Sequence, residues 1–182
     1  MSLASFVAAV LGALREANIP CMLTGSLAAA YYGSLRATQD VDLVIEPSAE
    51  NLEQLVTELE SAGFYVDRQV ARDAFKTGGQ FNAVDPASGW KADFIFRKAR
   101  PFSEAEFSRR APKEIAGIAV ALPTLEDLII AKLEWSELGD SELQRRDIRQ
   151  LIEMAGGSLD NQYLSEWIGQ LGLENAWERI NG

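Results

Sequence analysis

Two segments of the chain, DVDLVIE at 40–46 and WKADFIF at 90–96, alternate apolar and polar residues. Alternation with a period of two is typical of a β-strand that buries one face and leaves the other face polar. In the first segment Val41, Leu43 and Ile45 share the apolar face, and the opposite face carries Asp40, Asp42 and Val44. The two segments therefore predict a sheet with an apolar core on one side and acidic residues on the other.

The acidic residues of these strands are candidate metal ligands. The Cα atoms of Asp40 and Asp42 should lie about 6.5 to 7 Å apart, given the rise of a strand. This distance suits two carboxylates that converge on divalent cations about 3.5 to 4 Å from each other. Asp93 interrupts the apolar run of the second segment on its polar face and is the best candidate for a third carboxylate. The alternative is a pair of solvated acids, which are ordinary at strand edges.

A Gly-Ser pair follows the short apolar segment CMLT at 21–24, and a helix is expected over 27–32. A junction of this kind lets backbone N–H groups approach a phosphate, and a serine hydroxyl adds a donor. Gly25 and Ser26 are therefore candidate phosphate-binding residues. The alternative is a simple turn, where glycine is common.

The remaining pattern indicates an α+β fold. Apolar residues recur at helical spacing over 3–17, and a second helix opens at Pro47-Ser48. Further strand-like pieces lie at 64–66, 71–75, 80–84 and 117–123. We expect a mixed β-sheet flanked by helices.

The character of the chain changes at Thr124, after which nearly all residues favour helices. Thr124 can cap a helix that carries Glu126 and Asp127 in its first turn, and more helices are expected near 141–155 and 160–180. We therefore predict an α/β core over 1–122 and a C-terminal helical segment over 123–182 that packs on the core.

The chain contains no histidine. This excludes Ser-His and Cys-His nucleophilic catalysis, zinc sites that contain histidine, and acid–base catalysis by imidazole. Any chemistry has to use carboxylates, cations, hydroxyls, backbone amides or a bound metal.

The formal charge of −10 argues against a protein that coats nucleic acid through a general electrostatic field. Basic residues nevertheless crowd one segment, 91–113. This segment is either a solvated face or a landing surface for a polyanionic acceptor.

The chain has one cysteine, Cys21, which cannot form an internal disulfide and fits a reducing cytosol. No apolar run approaches the length that spans a bilayer. The apolar residues from Leu3 to Leu14 have helical spacing and no basic residue before the run, which favours an amphipathic helix over a signal peptide. A soluble cytoplasmic protein without a membrane partner is expected.

Two motifs together resemble a known signature. The pattern apolar-Thr-Gly-Ser at 23–26, followed after thirteen residues by Asp-Val-Asp-Leu at 40–43, resembles that of nucleotidyltransferases with the polymerase-beta-type fold. Asp93 falls where that superfamily carries its third carboxylate. The run LRATQDVD at 35–42 further resembles the Arg-x-Thr-x-Asp-x-Asp arrangement of toxin-type nucleotidyltransferases from abortive-infection (AbiEii-like) systems and their relatives.

The helical part extends this resemblance to about residues 20–152. The toxin-type proteins carry a lysine on a later helix, and a basic residue and an aspartate on the next helix. The segments LEDLIIAKLEW and LQRRDIRQLI resemble this arrangement, through Lys132, Arg146 and Asp147. Arg146 stands where a lysine is more usual. The last thirty residues carry no motif of this kind.

The resemblance implies transfer of a nucleoside monophosphate from a nucleoside triphosphate to an acceptor hydroxyl, with release of pyrophosphate. Two Mg²⁺ ions would be held by Asp40, Asp42 and Asp93. The nucleotide-binding residues that it implies are Gly25, Ser26, Arg36, Thr38 and Lys132. Arg36 is equally suited to pair with Asp40 or Glu46 and hold its loop. Tyr31, Tyr32 and Trp135 are expected in the core or in helix packing rather than as stacking platforms.

The acceptor stays open at this point, because RNA, a protein hydroxyl and a small hydroxylated molecule suit the same metal site. The basic segment favours RNA. The resemblance also suggests one component of a toxin–antitoxin or abortive-infection pair, with a cognate antitoxin as partner. The alternative is a non-catalytic nucleotide-binding or partner-binding module that keeps the nucleotidyltransferase fold.

Overall fold

The structure, a computed structural model, describes residues 1–34, 38–139 and 141–181. Seven strands form in these ranges: β1 (Cys21–Thr24), β2 (Asp40–Ile45), β3 (Tyr65–Val66), β4 (Gln80–Val84), β5 (Lys91–Phe96), β6 (Ala111–Ile115) and β7 (Ile118–Leu122). The helices of the same ranges are α1 (Leu3–Glu16), α2 (Gly25–Tyr31), α3 (Ala49–Ser61), α4 (Arg68–Thr77), α5 (Pro101–Arg109), α6 (Leu125–Gly139), α7 (Glu142–Ala155), α8 (Asn161–Leu171) and α9 (Glu174–Asn181). The predicted α+β class is confirmed.

Five strands form one mixed sheet in the order β1-β2-β5-β4-β3. The central pair, β2 and β5, is parallel, and each of the other pairs is antiparallel. The remaining strands, β6 and β7, form a separate antiparallel hairpin. Its two-residue turn has positive φ at Ala116 and Gly117, as a twisted hairpin requires.

The alternation of β2 and β5 gives the sheet two different faces, as the sequence predicts. Val41, Leu43 and Ile45 of β2 are at most 1% exposed, and Phe94 of β5 is fully buried. These side chains belong to one apolar core together with residues of α1 and α3. The acidic face of the same two strands meets α6 and α7 across a cleft.

Two segments differ from the prediction. The prediction of a strand at 71–75 is wrong, because these residues lie in α4. The two buried residues of α4 are Ala71 and Ala74, at helical spacing, and Asp67 caps the helix by accepting from the N–H groups of Gln69 and Val70. The helix expected over 160–180 is divided into α8 and α9 at Gly172, which has a φ of +66°.

Two elements between β5 and β7 are not foreseen by the sequence pattern. Helix α5 and strand β6 occupy most of the basic segment 91–113. No helix in the described ranges combines the length and the apolar character that a bilayer crossing needs.

Candidate active site

Two aspartates from different parts of the sequence face each other in the centre of the sheet. The parallel register of β2 and β5 places Asp42 directly beside Asp93. Neighbouring strands lie about 4.8 Å apart, so two carboxylates on the same face at this register are within reach of one cation. Both residues line the floor of a cleft of about 210 Å³.

The strand-to-helix junction at Gly25 packs directly against Asp42. Gly25 has a φ of +66°, and a Cβ atom built on it would lie 1.9 Å from Oδ2 of Asp42. The next backbone N–H, that of Ser26, donates a hydrogen bond to the Asp42 carboxylate. Glycine is therefore required here for close approach to a side chain of this chain, and the N–H of Ser26 orients an acid of the cleft.

Lys91 supplies a cation between two of the predicted carboxylates. Its Nζ lies 2.8 Å from Oδ2 of Asp93 and 3.4 Å from Oδ1 of Asp40. The hydrogen bond to Asp93, followed by the charges of Asp93 and Asp40, raises the pKa of Lys91. The ammonium thus offsets the like charges of the acidic face, a role that the sequence pattern did not indicate.

The carboxyl group of Asp42 is in an unfavourable environment for a charge. Burial raises its pKa most, and the nearby charges of Asp93 and Asp40 raise it further. The ammonium of Lys132 and the N–H of Ser26 act in the opposite direction. A cation held at this position would therefore be attracted by a carboxylate that is short of positive partners.

Lys132 lines the cleft from helix α6. It is only 3% exposed, and its Nζ donates to Oδ2 of Asp147 at 2.8 Å and to Oε1 of Gln144 at 3.0 Å, both on α7. A lysine ammonium has three donors, so one is left for the cleft beside these two bonds. Asp147 is itself buried and holds the lysine in place, whereas Arg146 is exposed.

The other predicted site residues are less central. Thr38 makes local hydrogen bonds, accepting from the N–H of Asp40 at 3.1 Å and lying 3.2 Å from its carbonyl oxygen. The side chain of Asp40 is 52% exposed. Arg36 lies outside the described residues, so its predicted contact has no structural counterpart here.

The carboxylates fit Mg²⁺ by their chemistry. Oxygen donors suit this hard cation, and the ammonium of Lys91 already takes the place of a cation between Asp40 and Asp93. As the side chains are placed, no three Asp, Glu, Cys or His residues in the described ranges are grouped as metal ligands. Asp42 and Asp93, which are neighbours across the two strands, are the carboxylates best placed to hold the ion together.

Trp135 was expected in helix packing, but it lines the cleft and is 48% exposed. On helix α6 the residues Leu128, Ala131, Lys132 and Trp135 follow the spacing i, i+3, i+4 and i+7, which forms one stripe. The lysine of this stripe is predicted by the resemblance of its helix to the toxin-type nucleotidyltransferases. The tryptophan gave no such signal, because an apolar residue at this spacing is typical of a core.

Most cations of the basic segment have partners inside the chain. Arg97 pairs with Glu46, and the two terminal nitrogens of Arg100 bind both oxygens of Glu134 at 2.6 and 2.5 Å. Arg109 pairs with the fully buried Asp127 at 3.1 Å. These ion pairs connect the segment to the rest of the fold and reduce the positive charge that it offers to an external polyanion.

Compared by sequence, the chain matches no protein-family model and no curated protein. Its fold is similar to solved nucleotidyltransferase structures. The antibiotic-resistance factor ANT(2'')-Ia gives a TM-score of 0.65 at 18% identity, over 97% of this chain and 95% of that chain. That protein has also been solved with adenylyl-2''-tobramycin.

Two further structures share this fold. The lincosamide antibiotic adenylyltransferase LnuA, bound to lincomycin, gives a TM-score of 0.58 at 11% identity, over 85% of this chain and 98% of that chain. An antigenic nucleotidyltransferase-like protein from Paracoccidioides brasiliensis gives 0.57 at 21% identity, over 94% and 91%. The chain therefore has a nucleotidyltransferase fold. None of these neighbours is named as an abortive-infection protein, so that closer resemblance stays a prediction.

Proposed function

We propose that this protein is a nucleotidyltransferase, which moves a nucleoside monophosphate from a nucleoside triphosphate to an acceptor hydroxyl and releases pyrophosphate. The observation that carries the proposal is the facing pair Asp42 and Asp93 on the floor of a cleft, with the buried ammonium of Lys132 in the cleft wall. The nucleotidyltransferase fold of the chain supports it.

Asp42, Asp93 and Asp40 would hold Mg²⁺. The metal would supply positive charge that orients the triphosphate and stabilises the charge that develops on it. In the transfer itself, the acceptor oxygen bonds to the α-phosphorus while the bond from the α-phosphorus to the bridging oxygen breaks. The hydroxyl proton passes to a carboxylate, for which Asp93 is the proposed acceptor.

Lys132 would bind a phosphate oxygen through its remaining donor. Because two of its donors are held by Gln144 and Asp147, the ammonium is fixed before the nucleotide arrives. A fixed cation loses little conformational entropy on binding. Gly25 and Ser26 would act mainly by placing Asp42, and their backbone would form the adjoining part of the phosphate site.

We favour a small hydroxylated molecule over RNA as the acceptor. The cations of the basic segment are largely engaged in ion pairs within the chain, which removes the reason for preferring RNA. Two solved structures with this fold are named with antibiotics as ligand or product, which supports a small acceptor. The toxin-type role and a cognate antitoxin rest on the sequence resemblance alone.

A non-catalytic binding module is the second candidate, and one observation favours it. The ammonium of Lys91 lies between Asp40 and Asp93, where a metal ion would have to compete with it. A module of this kind would bind a nucleotide without turnover.

Pyrophosphate release separates the two candidates. Wild type, Asp42→Asn and Asp73→Asn are incubated with Mg²⁺, each ribonucleoside triphosphate and a pool of hydroxylated small molecules. Asp73 is the matched control, because it is an exposed acid on α4. Transfer predicts release by wild type and by the control, and a loss of at least a hundredfold in Asp42→Asn. Binding of nucleotide without any release would support the module.

A further inference from the structure

A recess of about 70 Å³ continues the cleft on the side of helix α5. It shares a wall with the cleft, formed by Thr24, Ile95, Ala131 and Trp135. A ligand group in the recess is therefore next to whatever the cleft binds. The charged residues that line the recess are Arg97, Lys98, Arg100, Glu106 and Glu134.

Glu106 is an unusual member of this lining. It is 7% exposed, and no residue that the structure describes lies within hydrogen-bond or ion-pair distance of its carboxyl group. The other lining acid, Glu134, is held by a bidentate ion pair with Arg100. No side-chain polar atom in the described ranges is both fully buried and without a partner, so the carboxyl oxygens of Glu106 keep an opening onto the recess, where a ligand group can reach them.

The environment of Glu106 keeps it uncharged at neutral pH. Burial raises its pKa to about 8, and the charges of Asp127 and Glu134 act in the same direction, against those of Arg100 and Lys98. A neutral carboxyl group has one O–H donor and a carbonyl acceptor. Such a group can donate to one hydroxyl and accept from another.

Trp135 stands at the border between the cleft and the recess. It lines both of them, and about half of its surface is exposed. An indole face packs well against the apolar face of a saturated ring. Together with the hydrogen-bonding group of Glu106 in the same lining, it suits a ring that carries several hydroxyls.

We propose that the recess is the acceptor subsite, and that it binds a neutral polyhydroxylated ring, with Trp135 against the ring and Glu106 holding its hydroxyls. This inference rests on the proposed function, because it assigns the acceptor of the same transfer. One hydroxyl of the ring would be left to point along the shared wall towards the α-phosphate.

The charges of the recess favour a neutral ligand. Three cations and two carboxyl groups line it, and both Arg97 and Arg100 are already neutralised by Glu46 and Glu134. Lys98 is then the one cation of this lining without an acidic partner among the described residues, so a polycation finds no free carboxylate and a polyanion finds a single ammonium group. The recess therefore suits a neutral ligand that binds through hydrogen bonds.

The test uses two simple rings as probes: methyl α-glucoside, which is neutral, and glucosamine, which carries an ammonium group. Their dissociation constants are measured by ligand-observed NMR for wild type, Glu106→Gln and Glu106→Met. Gln keeps neutral hydrogen bonding in nearly the same shape, whereas Met removes it. Glu104→Met is the matched control on the same helix, because Glu104 is 62% exposed. Thermal unfolding establishes that each variant is folded.

The proposal predicts that wild type and Glu104→Met bind the neutral glucoside equally. Glu106→Gln should bind within about threefold of wild type, and Glu106→Met at least tenfold more weakly, since two hydrogen bonds are lost. Failure of wild type to bind the glucoside, or unchanged binding in Glu106→Met, would overturn the subsite. Binding of glucosamine alone, lost in both variants of Glu106, would overturn the neutral class.

Titration of the same samples with Mg²⁺ and the four ribonucleoside triphosphates keeps this inference separate from the proposed function. Nucleotide binding without glucoside binding contradicts only the subsite. Glucoside binding without nucleotide binding contradicts the transferase and leaves a ring-binding recess.

Discussion

The contact between Gly25 and Asp42 predicts a specific response to a single methyl group. In Gly25→Ala the new Cβ would lie 1.9 Å from Oδ2 and 2.7 Å from Cγ of Asp42. The backbone at this position also has a φ of +66°, which side chains rarely adopt. The substitution therefore strains the backbone and displaces the carboxylate from its hydrogen bond with the N–H of Ser26.

The two effects have separate magnitudes. A left-handed backbone costs an alanine about 1 to 2 kcal/mol relative to glycine. Overpacking of a close contact adds about 1 to 3 kcal/mol. We expect Gly25→Ala to lower the free energy of unfolding by roughly 2 to 5 kcal/mol. In a chain of this length this is roughly 4 to 20 °C in Tm.

Gly172 is a matched control, because it has the same φ of +66° and no atom within 4 Å of its built Cβ. Gly172→Ala should lose only the backbone term, about 1 to 2 kcal/mol. Urea unfolding followed by circular dichroism measures both variants. The excess loss in Gly25→Ala should disappear when Asp42 is also replaced by glycine.

Equal losses in Gly25→Ala and Gly172→Ala would refute the reasoning. So would an excess loss that persists after removal of the Asp42 side chain, because the contact would then not be its source.

Three further predictions concern charged groups. Lys91→Met should bind Mn²⁺ roughly three- to tenfold more tightly than wild type, because the ammonium of Lys91 no longer competes for the carboxylates. Electron paramagnetic resonance measures the affinity for Mn²⁺, with Lys76→Met as the control, and weaker binding by Lys91→Met would contradict the prediction. Burial holds the pKa of Glu106 at about 8 against an ordinary value of 4.5, so the folded chain binds the proton more tightly. Its stability should fall as the pH rises from about 4.5 to about 8, and Glu106→Gln should flatten this slope in urea titrations at pH 5, 7 and 9; an equally steep slope in the variant would contradict the assignment. The charged groups that face Glu106 are Asp127, Glu134, Arg100 and Lys98. Arg109→Leu should lower the free energy of unfolding by roughly 1 to 3 kcal/mol, because it removes the cation beside buried Asp127. The control Arg146→Leu changes an exposed arginine and should cost less than about 0.5 kcal/mol. Urea unfolding measures both losses, and equal losses would contradict the pairing of Arg109 with Asp127.

The central strands could be predicted from the sequence because one face of each strand is apolar throughout, while the acids lie on the other face. Val41, Leu43 and Ile45 are all buried, and the acids fall on the other face as expected. The neighbourhood of Asp42 and Asp93 also follows from the pattern, since both interrupt strands that share a sheet. Local periodicity is sufficient where one face of a strand is buried.

The remaining features depend on tertiary contacts that no local pattern records. Helix α4 was read as a strand because its buried residues are two alanines, which give a weak helical signal. The burial of Glu106 depends on tertiary contacts, and the residues around it in the sequence do not indicate that it is buried. The position of Lys91 depends on its register with Asp40 across two strands.

Under the proposed function, the cleft at Asp42 and Asp93 binds a nucleoside triphosphate together with Mg²⁺. Calorimetric titration of the four ribonucleoside triphosphates, with and without Mg²⁺, tests it without knowledge of the acceptor. We expect wild type and Asp73→Asn to bind at least one triphosphate in a metal-dependent way, and we expect Asp42→Asn to lose this binding. Unchanged binding in Asp42→Asn, or no binding of any triphosphate by folded wild type, would show that the cleft is not a nucleotide site.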